Sequence, residues 1–233
     1  MGIVTVGDRS ANKLLKQKFN LMKRAFNRDE HLYQSDAFEE IIKDTIRFFN
    51  GTPVVKLPPE TRFEGTGVYA IYYIGQNPLY QPLVIRNRID FSVPIYIGKA
   101  VPKGWRQART ESQSTKKSYE LNSRLREHSR SIQQTETLEN NAFQCRFMIL
   151  ENAESNLIGT VEAALIRLYK PIWNTVIDGF GNHDPGKGRY NQARSEWDTI
   201  HPGRSWADKC TGIASAPELI REKLQKYFDN SER

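Results

Sequence analysis

Residues 67–74 read Gly67-Val68-Tyr69-Ala70-Ile71-Tyr72-Tyr73-Ile74, with no charged residue and a surplus of β-branched and aromatic side chains. Closed by Gly75-Gln76-Asn77-Pro78, such a run predicts a strand buried on both faces. It needs partners on either side. Pro94-Ile95-Tyr96-Ile97-Gly98 reads as a second short strand. A third is expected at 143–150, where Phe143, Cys145, Phe147 and Ile149 alternate with Gln144, Arg146 and Met148.

Helical periodicity appears in separate stretches. In residues 36–49 Phe38, Ile41, Ile42, Thr45, Phe48 and Phe49 supply the apolar positions, and Asp36 with Glu39 fits a capping box. Further helices are expected at 119–133, at 155–169 before Pro171, and at 217–229. Residues 53–66 read as an extended linker, and 99–118 and 174–212 as loop. Strands and helices do not alternate regularly, so the pattern predicts an α+β fold rather than a doubly wound sheet: a small three-stranded antiparallel sheet flanked by helices. Residues 11–28 are basic and helix-periodic, without an acid. They suit a helix with a solvated basic rim, or an arm that wraps DNA or a second subunit.

Composition removes several classes. Of 233 residues 38% are hydrophobic, enough for a core, and no stretch reaches the roughly 20 apolar residues that span a bilayer. Two cysteines, Cys145 and Cys210, exclude a disulfide framework and a Cys-rich zinc site. They read as reduced thiols, and with no secretory signal at the N-terminus the expected location is cytoplasmic. Lys and Arg exceed Asp and Glu by 34 to 27, a net +7 that points to a polyanion partner. Residues 99–130 concentrate that excess, with nine basic residues against three acidic.

Six polar residues stand at element ends or in apolar surroundings. Tyr69 and Tyr96 lie in strands. Arg124 and His128 are four apart on one helix, so their Cβ atoms fall about 5–6 Å apart on one face. Glu162 is an acid in an apolar half-helix, where a carboxylate needs a partner or a cation. Asn174 follows Pro171-Ile172-Trp173. Taken singly, each has an ordinary structural explanation: core aromatics, a solvated helix face, a salt-bridged acid.

Taken in order, the set resembles the GIY-YIG nuclease family. Gly67-Val68-Tyr69 is similar to the first motif, with Val in the middle place, and Tyr96-Ile97-Gly98-Lys99 to the second. Tyr73-Ile74-Gly75 also spells the second motif, but it lies in the same strand as Tyr69 and cannot face it. The likeness covers roughly residues 65–176. It implies a nuclease core there, an N-terminal helical extension over 1–64, and a C-terminal extension over 177–233 packed on the core. The 26 residues between Tyr69 and Tyr96 exceed the family's usual spacing, so 75–93 is expected to be an insertion at a hairpin tip.

The elaborations look like those of the type II restriction branch. That resemblance implies a homodimer that cuts a short palindrome in double-stranded DNA, since two-fold protein symmetry maps onto two-fold DNA symmetry. It implies one Mg²⁺ held by Glu162, with Mn²⁺ able to substitute. Tyr69 would be the general base, relayed by neutral His128; Tyr96 would orient water or phosphate, Arg124 would grip a phosphate oxygen, and Asn174 would fix Glu162 or the phosphate. A covalent Tyr69–DNA intermediate is the competing role. Lys99 is a candidate phosphate contact, and Lys187, Arg189, Arg194 and Arg204, in or beyond a Gly-rich loop, are candidate base or backbone contacts. A structure-specific repair or homing nuclease and a non-catalytic DNA-binding module are the other readings.

Overall fold

The computed structural model describes residues 26–102, 105 and 117–231. The chain divides into two compact units, one ending at Glu39 and one from Glu40 to Arg233. In the first, a 3-10 turn spans Arg28–His31 and the Asn27 side chain accepts from the Asp29 N–H. The basic segment 11–28 lies outside the described residues except for its last three.

The strands are β1 (Val54–Lys56), β2 (Gly67–Tyr73), β3 (Tyr96–Ala100) and β4 (Phe143–Ile149). The helices are α1 (Asp36–Gly51), α2 (Gln81–Asp90), α3 (Glu120–Gln133), α4 (Ile158–Tyr169), α5 (Ile172–Thr175), α6 (Glu196–Ile200) and α7 (Pro217–Ser231). The strands form one sheet in the order β1-β4-β2-β3, antiparallel throughout. The fold is α+β as expected, with one strand more than the three predicted. β1 was hidden because Val54-Val55-Lys56 is too short to show alternation; its Val54 pairs with Arg146. The start of α1 also differs from the expected capping box: the Ser35 hydroxyl, not Asp36, accepts the Phe38 N–H at 3.3 Å.

Every residue of β2 is buried, because β2 has a neighbour on each edge and a packed layer on each face. Tyr69, Ile71 and Tyr73 face a core shared with Leu121, Leu125 and Ile132 of α3 and with Trp173, Phe180 and Trp197. Val68, Ala70 and Tyr72 face the other way, onto Val161 and Leu165 of α4 and Phe49 of α1. The 2.0-residue period of the strand thus sends alternate side chains to two separate cores.

The expected hairpin insertion is part of the core. Residues 78–90 form a 3-10 turn and α2, and bury Tyr80, Leu83 and Val84. The wholly buried Asn87 returns the chain to β3: its Nδ2 donates to the carbonyls of Tyr73 and Val93 at 3.1 and 2.9 Å, and its Oδ1 accepts from Val93 N at 3.0 Å. The 174–212 segment, expected to be loop, contributes Trp197 and Ile200 to the first core through the short α6. Among the described residues no helix is long and apolar enough to cross a membrane.

A buried polar chain ties the insertion to this segment. Trp173 Nε1 donates to the Tyr80 hydroxyl at 3.0 Å, and that hydroxyl lies 2.6 Å from His201 Nε2. The Thr137 hydroxyl lies 2.6 Å from His201 Nδ1. The Tyr80 oxygen accepts from Trp173, and its buried O–H is satisfied by donating to Nε2, which puts the His201 proton on Nδ1. Burial pushes the His201 pKa down to about 3. The unfolded chain therefore binds a proton that the folded chain refuses, and the neutral imidazole contributes fully only above its unfolded value. Stability should be flat above about pH 6.5 and fall below it, at up to about 1.4 kcal/mol per pH unit for each such group. Denaturant melts across that range check this; His201→Gln should make the acid slope shallower, and an unchanged slope would contradict the assignment.

Candidate active site

β2 and β3 place Tyr69 opposite Gly98. The Tyr69 ring lies across that glycine so closely that a Cβ there would stand 2.4 Å from the hydroxyl oxygen. This explains the glycine of Tyr96-Ile97-Gly98: it is the floor under the Tyr69 phenol. Tyr96, one pleat away on the same face, is half-buried, with its ring centre 6.3 Å from that of Tyr69.

α3 lies over this face and presents Arg124 and His128 from successive turns. His128 is buried, and its Nε2 lies 2.7 Å from the Tyr69 hydroxyl. Phe180 stacks on the imidazole with centroids 4.6 Å apart, while Tyr96 meets it edge-on at 5.1 Å. This enclosure sets the protonation states. Burial holds His128 well below the ordinary imidazole range, and the charge of Arg124 adds to the effect. Burial also raises Tyr69 well above the ordinary phenol value; Tyr96 and Glu162 push it further and Arg124 opposes them. Both partners are therefore held in their neutral forms, and the hydrogen bond between them is one that the phenol O–H can donate to an unprotonated Nε2.

Glu162 belongs to α4, which packs on the opposite face of the sheet from Tyr69. Its charge is nevertheless felt at the site. Its carboxylate raises the pKa of both Tyr69 and Tyr96, and its Oε2 accepts from Lys99 Nζ at 2.5 Å. Lys99, a candidate phosphate contact in the sequence, is thus the counter-charge of the candidate metal ligand. Asn174 does not turn to Glu162. Its Oδ1 accepts from Ile97 N at 2.8 Å and its Nδ2 donates to Ile97 O at 2.9 Å, so both polar atoms clip the β3 backbone between Tyr96 and Gly98.

Among the described residues no group of three or more His, Cys, Asp or Glu side chains could hold a metal. Glu162 alone suits Mg²⁺, which keeps several waters and takes one or two carboxylates plus substrate phosphates. It does not suit zinc, which wants a closed set of N and S ligands.

Of the candidate DNA contacts, Lys187 and Arg189 are exposed, and Arg194 is part-exposed beside Asp208 at 2.9 Å. Arg204 is not at the surface, and this corrects the expectation that it contacts DNA. Its side chain is 1% exposed and spends all five N–H donors on the protein. Nε and Nη2 each lie 2.6 Å from an oxygen of Asp198, Nη1 donates to the carbonyls of Phe180 and Asn182, and Nη2 to that of Gly179. Trp197 and Trp206 lie against its guanidinium at 4.5 and 4.7 Å. Arg204 therefore fixes the turn that holds Phe180 on His128. Phe180 and His183, which borders Arg124, were not legible as site residues in a Gly-rich loop.

A phenol and an imidazole on one side of a small antiparallel sheet, with a glycine floor and a carboxylate at its edge, define a GIY-YIG nuclease core. Residues 61–228 match the Eco29kI GIY-YIG domain, and the chain belongs to that family of type II restriction endonucleases, whose substrate is DNA. No curated protein matches the chain.

The buried Arg204–Asp198 pair gives a stability prediction. Asp198→Asn or Arg204→Met leaves a buried charge without its partner and should each cost about 3–5 kcal/mol. Urea unfolding of the single variants checks this; losses below about 1 kcal/mol, typical of exposed pairs, would contradict it.

Proposed function

We propose that the chain is a sequence-specific, Mg²⁺-dependent endonuclease of type II, acting as a homodimer on a short palindrome in double-stranded DNA. The observation that carries the mechanism is the neutral, buried Tyr69–His128 pair. A free phenol is a poor base near neutral pH, but here its proton has a place to go. The Tyr69 oxygen takes a proton from the attacking water while its own proton passes to His128 Nε2. The water oxygen bonds to phosphorus, the bond to the 3′ oxygen breaks, and that oxygen takes a proton from solvent. The enclosed imidazolium is then stabilised by the bound phosphate. Because this route is complete without a covalent phenol ester, it is preferred to a Tyr69–DNA intermediate.

Arg124 would hold a nonbridging phosphate oxygen, with Tyr96 orienting water or phosphate. Asn174 acts at one remove by fixing the β3 backbone that carries Tyr96. Glu162 would hold the Mg²⁺, which when bound neutralises phosphate charge and assists the leaving oxygen. Lys99 would yield Glu162 to that ion and remain near the phosphate. Residues 177–233 act with the core as one nuclease unit, and exposed Lys187 and Arg189, with part-exposed Arg194, supply DNA contacts at the surface of the Gly-rich loop and beside it.

Incubation of a plasmid with the protein and Mg²⁺ should give discrete fragments. Cuts confined to branched DNA, or none, would favour a structure-specific nuclease or a non-catalytic module. Tyr69→Phe, His128→Ala and Glu162→Gln should each lower cleavage by at least about 10²–10⁴-fold with the circular dichroism spectrum unchanged. Full cleavage by Glu162→Gln with Mg²⁺ present would overturn the metal assignment.

A further inference from the structure

His183 lies in the exposed turn after Gly179-Phe180-Gly181-Asn182. Its Nε2 stands 2.6 Å from Arg124 Nη1. A guanidinium can only donate, so this imidazole nitrogen is the acceptor and the His183 proton sits on Nδ1. The same Nη1 donates to Glu127 at 2.7 Å, and Nη2 donates to the Gly181 carbonyl at 3.0 Å. Three of the five donors of Arg124 are thus held by protein, which fixes the plane and direction of the guanidinium. The same guanidinium is near enough to the phenols of Tyr69 and Tyr96 to oppose the rise in their pKa values.

The turn that supplies these acceptors is itself fixed. The carbonyls of Gly179, Phe180 and Asn182 accept from Arg204, while that of Gly181 accepts from Arg124. Four consecutive carbonyls therefore divide between two arginines. Gly181 is pressed against the site: a Cβ there would lie 2.7 Å from the Tyr96 hydroxyl. An anchored turn that offers Arg124 both a carbonyl and an imidazole is a mould for one guanidinium orientation.

We propose that His183 is the positioning residue for Arg124, holding its guanidinium through Nε2 so that the remaining donors meet the scissile phosphate. The inference rests on the assignment of Arg124 as a phosphate ligand made above. His183 acts through Arg124, so its effect belongs to the chemical step and not to DNA affinity, and it depends on acceptor chemistry rather than on the ring.

Single-turnover cleavage, on a duplex chosen from the sequenced ends of wild-type digests, tests this. His183→Ala should lower the saturating rate about 10- to 100-fold with half-saturation by enzyme little changed. His183→Gln, which keeps an acceptor, should recover most of the rate. In an Arg124→Ala background, His183→Ala should cost nothing further. A wild-type rate for His183→Ala, an equal loss in both backgrounds, or a loss confined to DNA affinity would overturn the inference. Wild-type cleavage by Arg124→Ala would instead remove the phosphate-ligand assignment beneath it. Long-range ¹H–¹⁵N spectra of the DNA-free protein need no turnover: His183 should be the Nδ1–H tautomer in the wild type and lose that preference in Arg124→Ala, whereas an Nε2–H tautomer in the wild type would overturn the proposal.

Discussion

The 2.7 Å hydrogen bond between the Tyr69 hydroxyl and His128 Nε2 sets the requirements that the rest of the site meets. A phenol and an imidazole at that separation have a useful polarity only if both are neutral and water cannot replace either partner. β2 supplies the first condition as one of the two central strands, so Tyr69 sits deep in the sheet. Gly98 supplies room for its hydroxyl, and Phe180, Tyr96 and α3 close the imidazole off from solvent. The pair is thus a product of packing before it is a product of chemistry.

That packing depends on chain far from the strands. Phe180 reaches His128 because Arg204 gathers the carbonyls around it and is itself neutralised by Asp198 and flanked by two tryptophans. The insertion between β2 and β3 is bound to the same region through Tyr80, Trp173 and His201. Segments that look like additions to a small nuclease core form one continuous aromatic and polar interior with it. This agrees with the extent of the family match, which runs through residues 61–228 rather than ending near Asn174.

The sequence revealed the parts with strong local signatures. β2 announced itself by composition, and Arg124 and His128 shared a face because helical spacing requires it. Contacts set by tertiary packing were not legible. Val54-Val55-Lys56 is too short to read as a strand, and Arg204 is identical in the sequence whether it meets DNA or Asp198. His183 has no motif around it, and its nearness to Arg124 depends on a turn fixed from a distant residue. Glu162 was legible as an acid in an apolar helix; its pairing with Lys99 was not. Asn174 was expected to fix Glu162 or the phosphate, but a side-chain amide can pair with any nearby peptide, and Ile97 offers both partners.

The protonation of the Tyr69–His128 pair can be read directly from the ¹⁵N resonances of His128 in the DNA-free protein, followed between about pH 5 and pH 8. The account predicts that His128 stays unprotonated at Nε2 across that whole range, because burial and Arg124 hold its pKa below the ordinary value. An ordinary titration centred near 6.5, or an imidazolium at neutral pH, would contradict it.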